Sequence, residues 1–245
     1  MNTVNFAEKG VVFFDMGNTL LHFHYGQSDY EKDMKGLLLL TEYLKSFNAS
    51  IMFEEVKLEF YEKWMDGIKD RKVTYVEYPI EAFLNNFLEK FGFSLNIEQC
   101  IEAINSFYTD YREQVYYENS VYDTLKLIRS KGYKVGVISN TCYYDEVMKE
   151  CFKKAKIYDL IDSFTFSYSL RIGKPNRQIF RTAMEAMKIS PEQAIMVGDS
   201  LESDIRPALV LGMKTIWLNY KNSTIKSDIK PDIEIVSLSE LPKYI

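Results

Sequence analysis

The 245-residue sequence has little to support a life outside a reducing, aqueous compartment. It has three cysteines, Cys100, Cys142 and Cys151, with no CxxC pair and no metal-ligand spacing, which argues against a thiolate metal site. No apolar run approaches the length of a membrane span, and the opening "MNTVNFAEKG" lacks the basic-then-apolar pattern of a targeting signal. The expectation is a cytoplasmic protein. Positive charge is in deficit, with 30 Lys and Arg against 35 Asp and Glu, so the net charge of −5 gives no support for nucleic acid or an anionic membrane as partner. Histidine is scarce: His22 and His24 are the only two. There is no internal repeat and no low-complexity segment.

What the chain does have is ordinary globular composition, 47% hydrophobic and 27% charged, with a surplus of aromatics in its 18 Tyr and 16 Phe. Two kinds of text alternate. Short apolar, β-branched runs of strand length stand at 11–14, 134–139, 163–169, 194–199, 214–218 and 233–237. Several are too uniformly apolar for a strand with one wet face, so they suit a sheet covered on both sides. Helical patterns lie between them. One ends at Lys131-Gly132, a basic last turn and a glycine stop, and another is followed by Ser190-Pro191, where Ser190 can cap, Pro191 takes the first helical position and Gln193 completes a capping box. Strand–helix–strand alternation from about residue 120 predicts a parallel, doubly wound sheet.

Residues 25–118 have no strand text. Apolar side chains recur there at helical spacing: Val56, Phe60, Trp64 and Ile68; then Ile80, Phe83, Leu84, Phe87, Leu88 and Phe91; then Ile97, Ile101, Ile104, Tyr108, Tyr111 and Val115. Most of these read as the core of a helical bundle, and a few as candidates to face a substrate. The chain is expected to leave its α/β core after the first strand, build a helical subdomain, and return.

Ligands of an open α/β sheet bind beyond the carboxyl ends of its strands. Asp15 and Thr19 follow the first strand, Ser139 and Asn140 the second, Lys174 the third, and Asp199 and Asp204 the fourth. Taken singly, Ser139 or Thr19 is an ordinary strand-end hydroxyl, Lys174 a solvated lysine and Asp204 a charge suited to a helix N-terminus. Taken together, three carboxylates, a hydroxyl and an ammonium converge on one edge. The acids would repel one another, and a bound divalent cation resolves this; hard oxygen ligands suit Mg²⁺. The cation, Lys174 and the donors near Ser139 would trap a phosphoryl group, whose transfer depends on positioning and charge neutralisation.

The segments "DMGNTL" (15–20), "VISNT" (137–141), "GKP" (173–175) and "VGDSLESD" (197–204) stand in the order of the four motifs of the haloacid dehalogenase superfamily, which the chain resembles along its whole length. The resemblance implies a Rossmann-like α/β core over residues 1–24 and 119–245, with an inserted all-helical cap over 25–118. It implies a Mg²⁺-dependent hydrolase acting on a phosphorylated small molecule. Asp15 would be the nucleophile that becomes an aspartyl-phosphate. Asp199 and Asp204 would hold Mg²⁺ with Asp15 and the Gly17 backbone carbonyl. Ser139, Asn140 and Lys174 would bind the phosphoryl oxygens, and Thr19 would hold the turn and the phosphate site.

One position departs from the family pattern. Gly17 stands where the family has the aspartate that protonates the leaving group and then activates water, and Asn18 stands where glycine is usual. A glycine keeps the metal-ligating carbonyl and removes the proton transfer, a contribution of roughly 10²–10⁴ in rate. Four readings stay open: a slow or specialised phosphatase; a phosphatase in which His22 or His24, placed on one face if 21–24 is extended, replaces the acid–base; non-phosphomonoesterase chemistry such as phosphonate hydrolysis, needing a lysine from Lys45, Lys57, Lys63, Lys69 or Lys72; and a non-catalytic metal- or phosphate-binding regulator.

Overall fold

The computed structural model describes residues 10–222, 224 and 227–245, with residues 70–73 described in backbone only. Residues 1–9 of the expected core and the side chain of Lys72 therefore lie outside the described residues. Within them the strands are β1 (Val11–Phe14), β2 (Lys134–Ser139), β3 (Ser163–Phe166), β4 (Ala194–Gly198), β5 (Lys214–Leu218) and β6 (Ile233–Ile235). They form one parallel sheet in the order β3-β2-β1-β4-β5-β6. The α/β fold expected from the strand text is present.

The apolar uniformity of β1 follows from its central place. Val11 and Phe13 join a cluster with Ile179, Phe180 and Met184 of helix 177–187 on one face. Val12 and Phe14 join the larger cluster with Leu125 and Ile128 of helix 119–130 on the other. Alternate side chains thus serve opposite layers, and polar alternation has no room to appear.

Some boundaries differ from expectation. The third strand ends at Phe166, and Ser167–Leu170 coils into a helical turn. The Ser167 hydroxyl is the reason: it accepts the Thr141 N–H at 2.8 Å and donates to the Glu77 carboxylate at 2.6 Å, holding the chain out of the sheet. The sixth strand stops at Ile235 because the Val236 N–H turns to the Glu240 carboxylate at 3.0 Å. Pro191–Gln193 is a single 3-10 turn running straight into β4, with the Ser190 N–H donated to Gln193.

Between β1 and β2 stand α1 (Asp29–Lys45), α2 (residues 53–74), α3 (Ile80–Leu88), α4 (Ile97–Phe107) and α5 (Thr109–Glu113), before α6 (Asn119–Ser130) opens the next crossover. Ser28 and Asn96 cap α1 and α4 through the Glu31 and Gln99 N–H groups. Inside α2, Val56–Tyr61 is π-helical. Its Val56, Phe60, Trp64 spacing of four drifts about 40° per step around an ordinary α-helix. The wider π turn brings these buried residues back into line. Several contacts tie this helical segment to the sheet, two of them through the backbone close to the strand ends. His22 and Tyr116 exchange backbone hydrogen bonds at 2.7 and 3.1 Å, and the α2–α3 loop meets the loop before Lys174 through Gly173 N–H to the Tyr75 carbonyl at 3.0 Å. The crossovers after β2, β3 and β4 are α7 (Asp145–Lys154), α8 (Arg177–Met187) and α9 (residues 201–211).

Helix α1 approaches α4 most closely at Gly36, where a Cβ would lie 2.2 Å from the Phe107 carbonyl oxygen. Alanine in a helix interior ordinarily gains about 0.5–1 kcal/mol over glycine. Here the backbone clash outweighs that gain. Gly36→Ala is expected to lower the urea-unfolding free energy by about 1–3 kcal/mol; an unchanged or raised midpoint would contradict the close approach.

Candidate active site

The order of the strands places β1 between β2, reached by one crossover direction, and β4, reached by the other. Such a reversal opens a crevice at the carboxyl edge. Asp15 is the first residue past β1, held by its N–H to the Val197 carbonyl at 2.9 Å. The chain then folds back on itself. The Leu20 and Leu21 N–H groups both reach the Met16 carbonyl, and Asn18 takes a left-handed φ of 57°. That conformation favours glycine and tolerates asparagine, which accounts for Asn18 in this turn. Gly17 sits in the open: a Cβ built there meets nothing within 4 Å. Its carbonyl accepts no hydrogen bond among the described residues.

Lys174 is buried and bridges two acids, with Nζ 2.5 Å from Asp15 Oδ1 and 2.6 Å from Asp204 Oδ1. The Ser139 hydroxyl donates to the same Asp15 Oδ1 at 3.4 Å. Asp15 Oδ2 accepts no hydrogen bond among the described residues, so one oxygen of this buried carboxylate is fixed and the other is free. Asn140 does not present its amide to a ligand. It clamps the backbone of Lys174, accepting its N–H at 2.7 Å and donating to its carbonyl at 2.8 Å. At the end of β4, Asp204 turns back to accept the Ser200 N–H at 3.0 Å, and a Cβ at Gly198 would lie 2.3 Å from the Asp204 Oδ2. Glycine is required there by the carboxylate itself. The Asp199 carbonyl is held by the Trp217 indole N–H at 2.9 Å.

Carboxylate oxygens of Asp15, Asp199 and Asp204 all lie within 4.8 Å of one another. Burial and the Asp15 charge push the Asp199 carboxyl up to about 6, against the pull of Lys174 and a hydrogen bond from Asn18. Burial also raises Asp204, although Lys174 opposes the shift. Burial disfavours the Lys174 charge, but the two carboxylates outweigh it and hold the ammonium firmly protonated. Three ionised carboxylates and one ammonium leave two uncompensated negative charges in a mostly buried space. A divalent cation would balance them. The converging carboxylate oxygens of Asp15, Asp199 and Asp204 are the hard donors that would hold Mg²⁺.

These residues line one cavity of about 400 Å³ together with Gly17, Met16, Ser200 and Ser203. The lining also includes the aromatic residues Phe23, Tyr108, Tyr111 and Tyr143, with His24, Cys142 and Met148. Spacing had already singled out Tyr108 and Tyr111 as inward-facing; Phe23 and Tyr143 carried no sequence signal beyond being aromatic. Thr19 is buried outside this lining, and its hydroxyl finds no partner among the described residues. The two histidines part company. The backbone of His22 pairs with Tyr116, and its half-buried ring lies off the lining, with its pKa lowered by burial. The chain bends after it, so the consecutive residues Phe23 and His24 both reach the cavity, which a straight extended run would forbid. His24 is exposed and bonded through Nδ1 to Asp29 at 2.7 Å. Lys45, Lys57, Lys63 and Lys69 stay off the lining. The helical lysine that is fully buried is Lys32, whose Nζ donates to the Phe23 carbonyl at 2.7 Å.

The chain matches the family model of haloacid dehalogenase-like hydrolases over residues 10–212. It is 33% identical over 125 residues to the glyceraldehyde 3-phosphate phosphatase of Pyrococcus furiosus, an alignment covering 50% of each protein. The chain spans about half the length of the curated relatives it matches. A 2-haloacid dehalogenase from Pseudomonas syringae pv. Tomato shares its fold with a TM-score of 0.66 and 23% identity, covering 97% of this chain and 98% of that one. A HAD phosphatase from Thermococcus onnurineus does so with a TM-score of 0.60 and 24% identity, covering 96% and 97%.

A cation entering this cluster must displace the proton that Asp199 retains below about pH 6. Mg²⁺ affinity, followed by titration calorimetry, is expected to be nearly flat above pH 7.5 and to fall by about tenfold per pH unit or more below pH 6. An affinity independent of pH across that range would contradict the raised carboxyls.

Proposed function

Since the chain belongs to the haloacid dehalogenase-like hydrolases, we propose that it is a Mg²⁺-dependent phosphatase that forms an aspartyl-phosphate on Asp15 and hydrolyses it slowly. The observation that carries this reading is the fixed Asp15 carboxylate, with Oδ1 held by Lys174 and Ser139 and Oδ2 left free. Asp15, Asp199, Asp204 and the Gly17 carbonyl would hold Mg²⁺, which when bound neutralises the carboxylates and the phosphoryl oxygens.

The chain's own residues divide the work. Lys174 and Ser139 orient the phosphoryl group against Asp15. The free oxygen of Asp15 attacks phosphorus, the bond to the leaving oxygen breaks, and the leaving group departs with the bonding electron pair. Nothing at position 17 gives that oxygen a proton, so an aryl group leaves as a stable phenolate while an alkoxide leaves poorly. In the second half, water attacks the aspartyl-phosphate, releases inorganic phosphate and restores the carboxylate. The base that would accelerate this attack is also missing at 17, and positioned acid–base catalysis contributes roughly 10²–10⁴. The retained Lys174 bridge and acidic cluster favour this enzyme over a purely regulatory binder.

A second reading has its own observation. His24 lines the cavity and is oriented by Asp29, the arrangement of a general base with its positioning carboxylate. In that reading His24→Gln loses turnover while Mg²⁺ affinity holds; unchanged turnover removes it.

Two substitutions test the main reading. Asp15→Asn is expected to abolish Mg²⁺-dependent hydrolysis of an aryl phosphate, and equal rates in the two proteins would overturn the aspartyl-phosphate. Gly17→Asp has room for its side chain and is expected to raise alkyl phosphate turnover by about 10²-fold or more, with Gly17→Asn giving no gain. No gain from the aspartate would contradict the account of position 17.

A further inference from the structure

Besides the acids, the cavity lining contains a cluster of rings. Tyr108 stacks on Tyr111 with centroids 5.0 Å apart and planes at 11°, and meets Tyr143 at 4.5 Å and Phe23 at 6.3 Å. Tyr108 is 4% exposed, yet neither its hydroxyl nor that of Tyr143 makes a hydrogen bond among the described residues. Tyr111, by contrast, has its hydroxyl committed to Asp33 at 3.2 Å. The lining therefore offers the outer apolar surface of a packed ring cluster, with two hydroxyls that make no hydrogen bond among the described residues.

Charge narrows the choice. The cationic group that lines the cavity is Lys174, already shared between Asp15 and Asp204, and His24 is already paired with Asp29. Lys32 points its ammonium at the Phe23 carbonyl, off the lining. A second carboxylate or phosphate on the ligand would lose its water here and meet no free countercharge. With the phosphoryl end fixed at Asp15, the remaining space in about 400 Å³ holds roughly one ring system.

We propose that the site selects phosphate monoesters of a neutral phenol or ring-hydroxylated heteroaromatic, packed against the ring cluster of Phe23, Tyr143 and Tyr108. This rests on the phosphatase reading and names its substrate class. Contact with the rings supplies affinity, the two free hydroxyls serve a polar atom on the ring, and the absence of countercharge rejects esters that carry a second anionic group beyond the phosphate. The same preference suits Gly17, because an oxygen bonded directly to the ring leaves as a phenolate without a proton.

Binding of non-hydrolysable phosphonates, measured by calorimetry on the Mg²⁺-loaded protein, separates recognition from turnover. Phenylphosphonate is expected to bind about tenfold tighter than methylphosphonate, the scale of a good aromatic contact. Phosphonoacetate, with its added carboxylate, is expected to bind no tighter than methylphosphonate. Tyr108→Leu should shrink the phenyl-to-methyl ratio to about threefold or less, with Tyr143→Leu doing the same should the first variant fail to fold. Equal affinity for phenyl and methyl, or a preference for phosphonoacetate, overturns the aromatic selection while leaving the phosphate site standing. Failure of all three to bind removes the phosphate site and this inference with it.

Discussion

Three carboxylates and one ammonium share a nearly buried space at the carboxyl edge of the sheet, and this unbalanced charge constrains the rest of the site. Such a group is stable only if its geometry is enforced and its residual charge is met by a ligand. The enforcement is visible at each position. Asp15 hangs from β4 by its N–H, Asn140 clamps both polar groups of the Lys174 backbone, and Gly198 is small because Asp204 occupies the place of its side chain. The sheet order brings these three strand ends together, so the topology and the charge cluster are one design.

The helical segment contributes to the cavity. It meets the Lys174 loop through Tyr75 and Glu77, and it supplies Tyr108 and Tyr111 to the lining. In the proposed function the acidic end of the lining holds a phosphoryl group and the rings an uncharged remainder. Gly17 belongs to the same lining, with its space unfilled. In this account the missing side chain leaves binding and phosphoryl capture in place and slows release from the enzyme.

Much of this was legible in the residues. Strands buried on both faces announce themselves by uniform apolar text, and Asp15, Ser139, Lys174, Asp199 and Asp204 could be located as strand-end residues before any distance was known. Asn18 was legible as a glycine substitute, and its left-handed φ supplies the reason. Other features depend on long-range geometry. A tyrosine at helical spacing looks the same whether it faces a core or a cavity, so the wall around Tyr108 appears only when α4, α5 and the β2–α7 loop meet. His22 and His24 looked equivalent until a backbone pairing with Tyr116 and the bend after it sent them apart. The early end of β3 follows from Ser167 reaching Glu77, a contact across 90 residues of chain.

The central claim is that phosphoryl transfer to Asp15 outruns its hydrolysis because position 17 has no acid–base group. Rapid-quench mixing with an aryl phosphate in the presence of Mg²⁺ tests it most directly. The account predicts a burst of phenol close to one equivalent per active site, a slow steady phase, and intact protein heavier by one phosphoryl group on Asp15. Steady release from the first turnover, with no covalent phosphoprotein in the quenched sample, would contradict it.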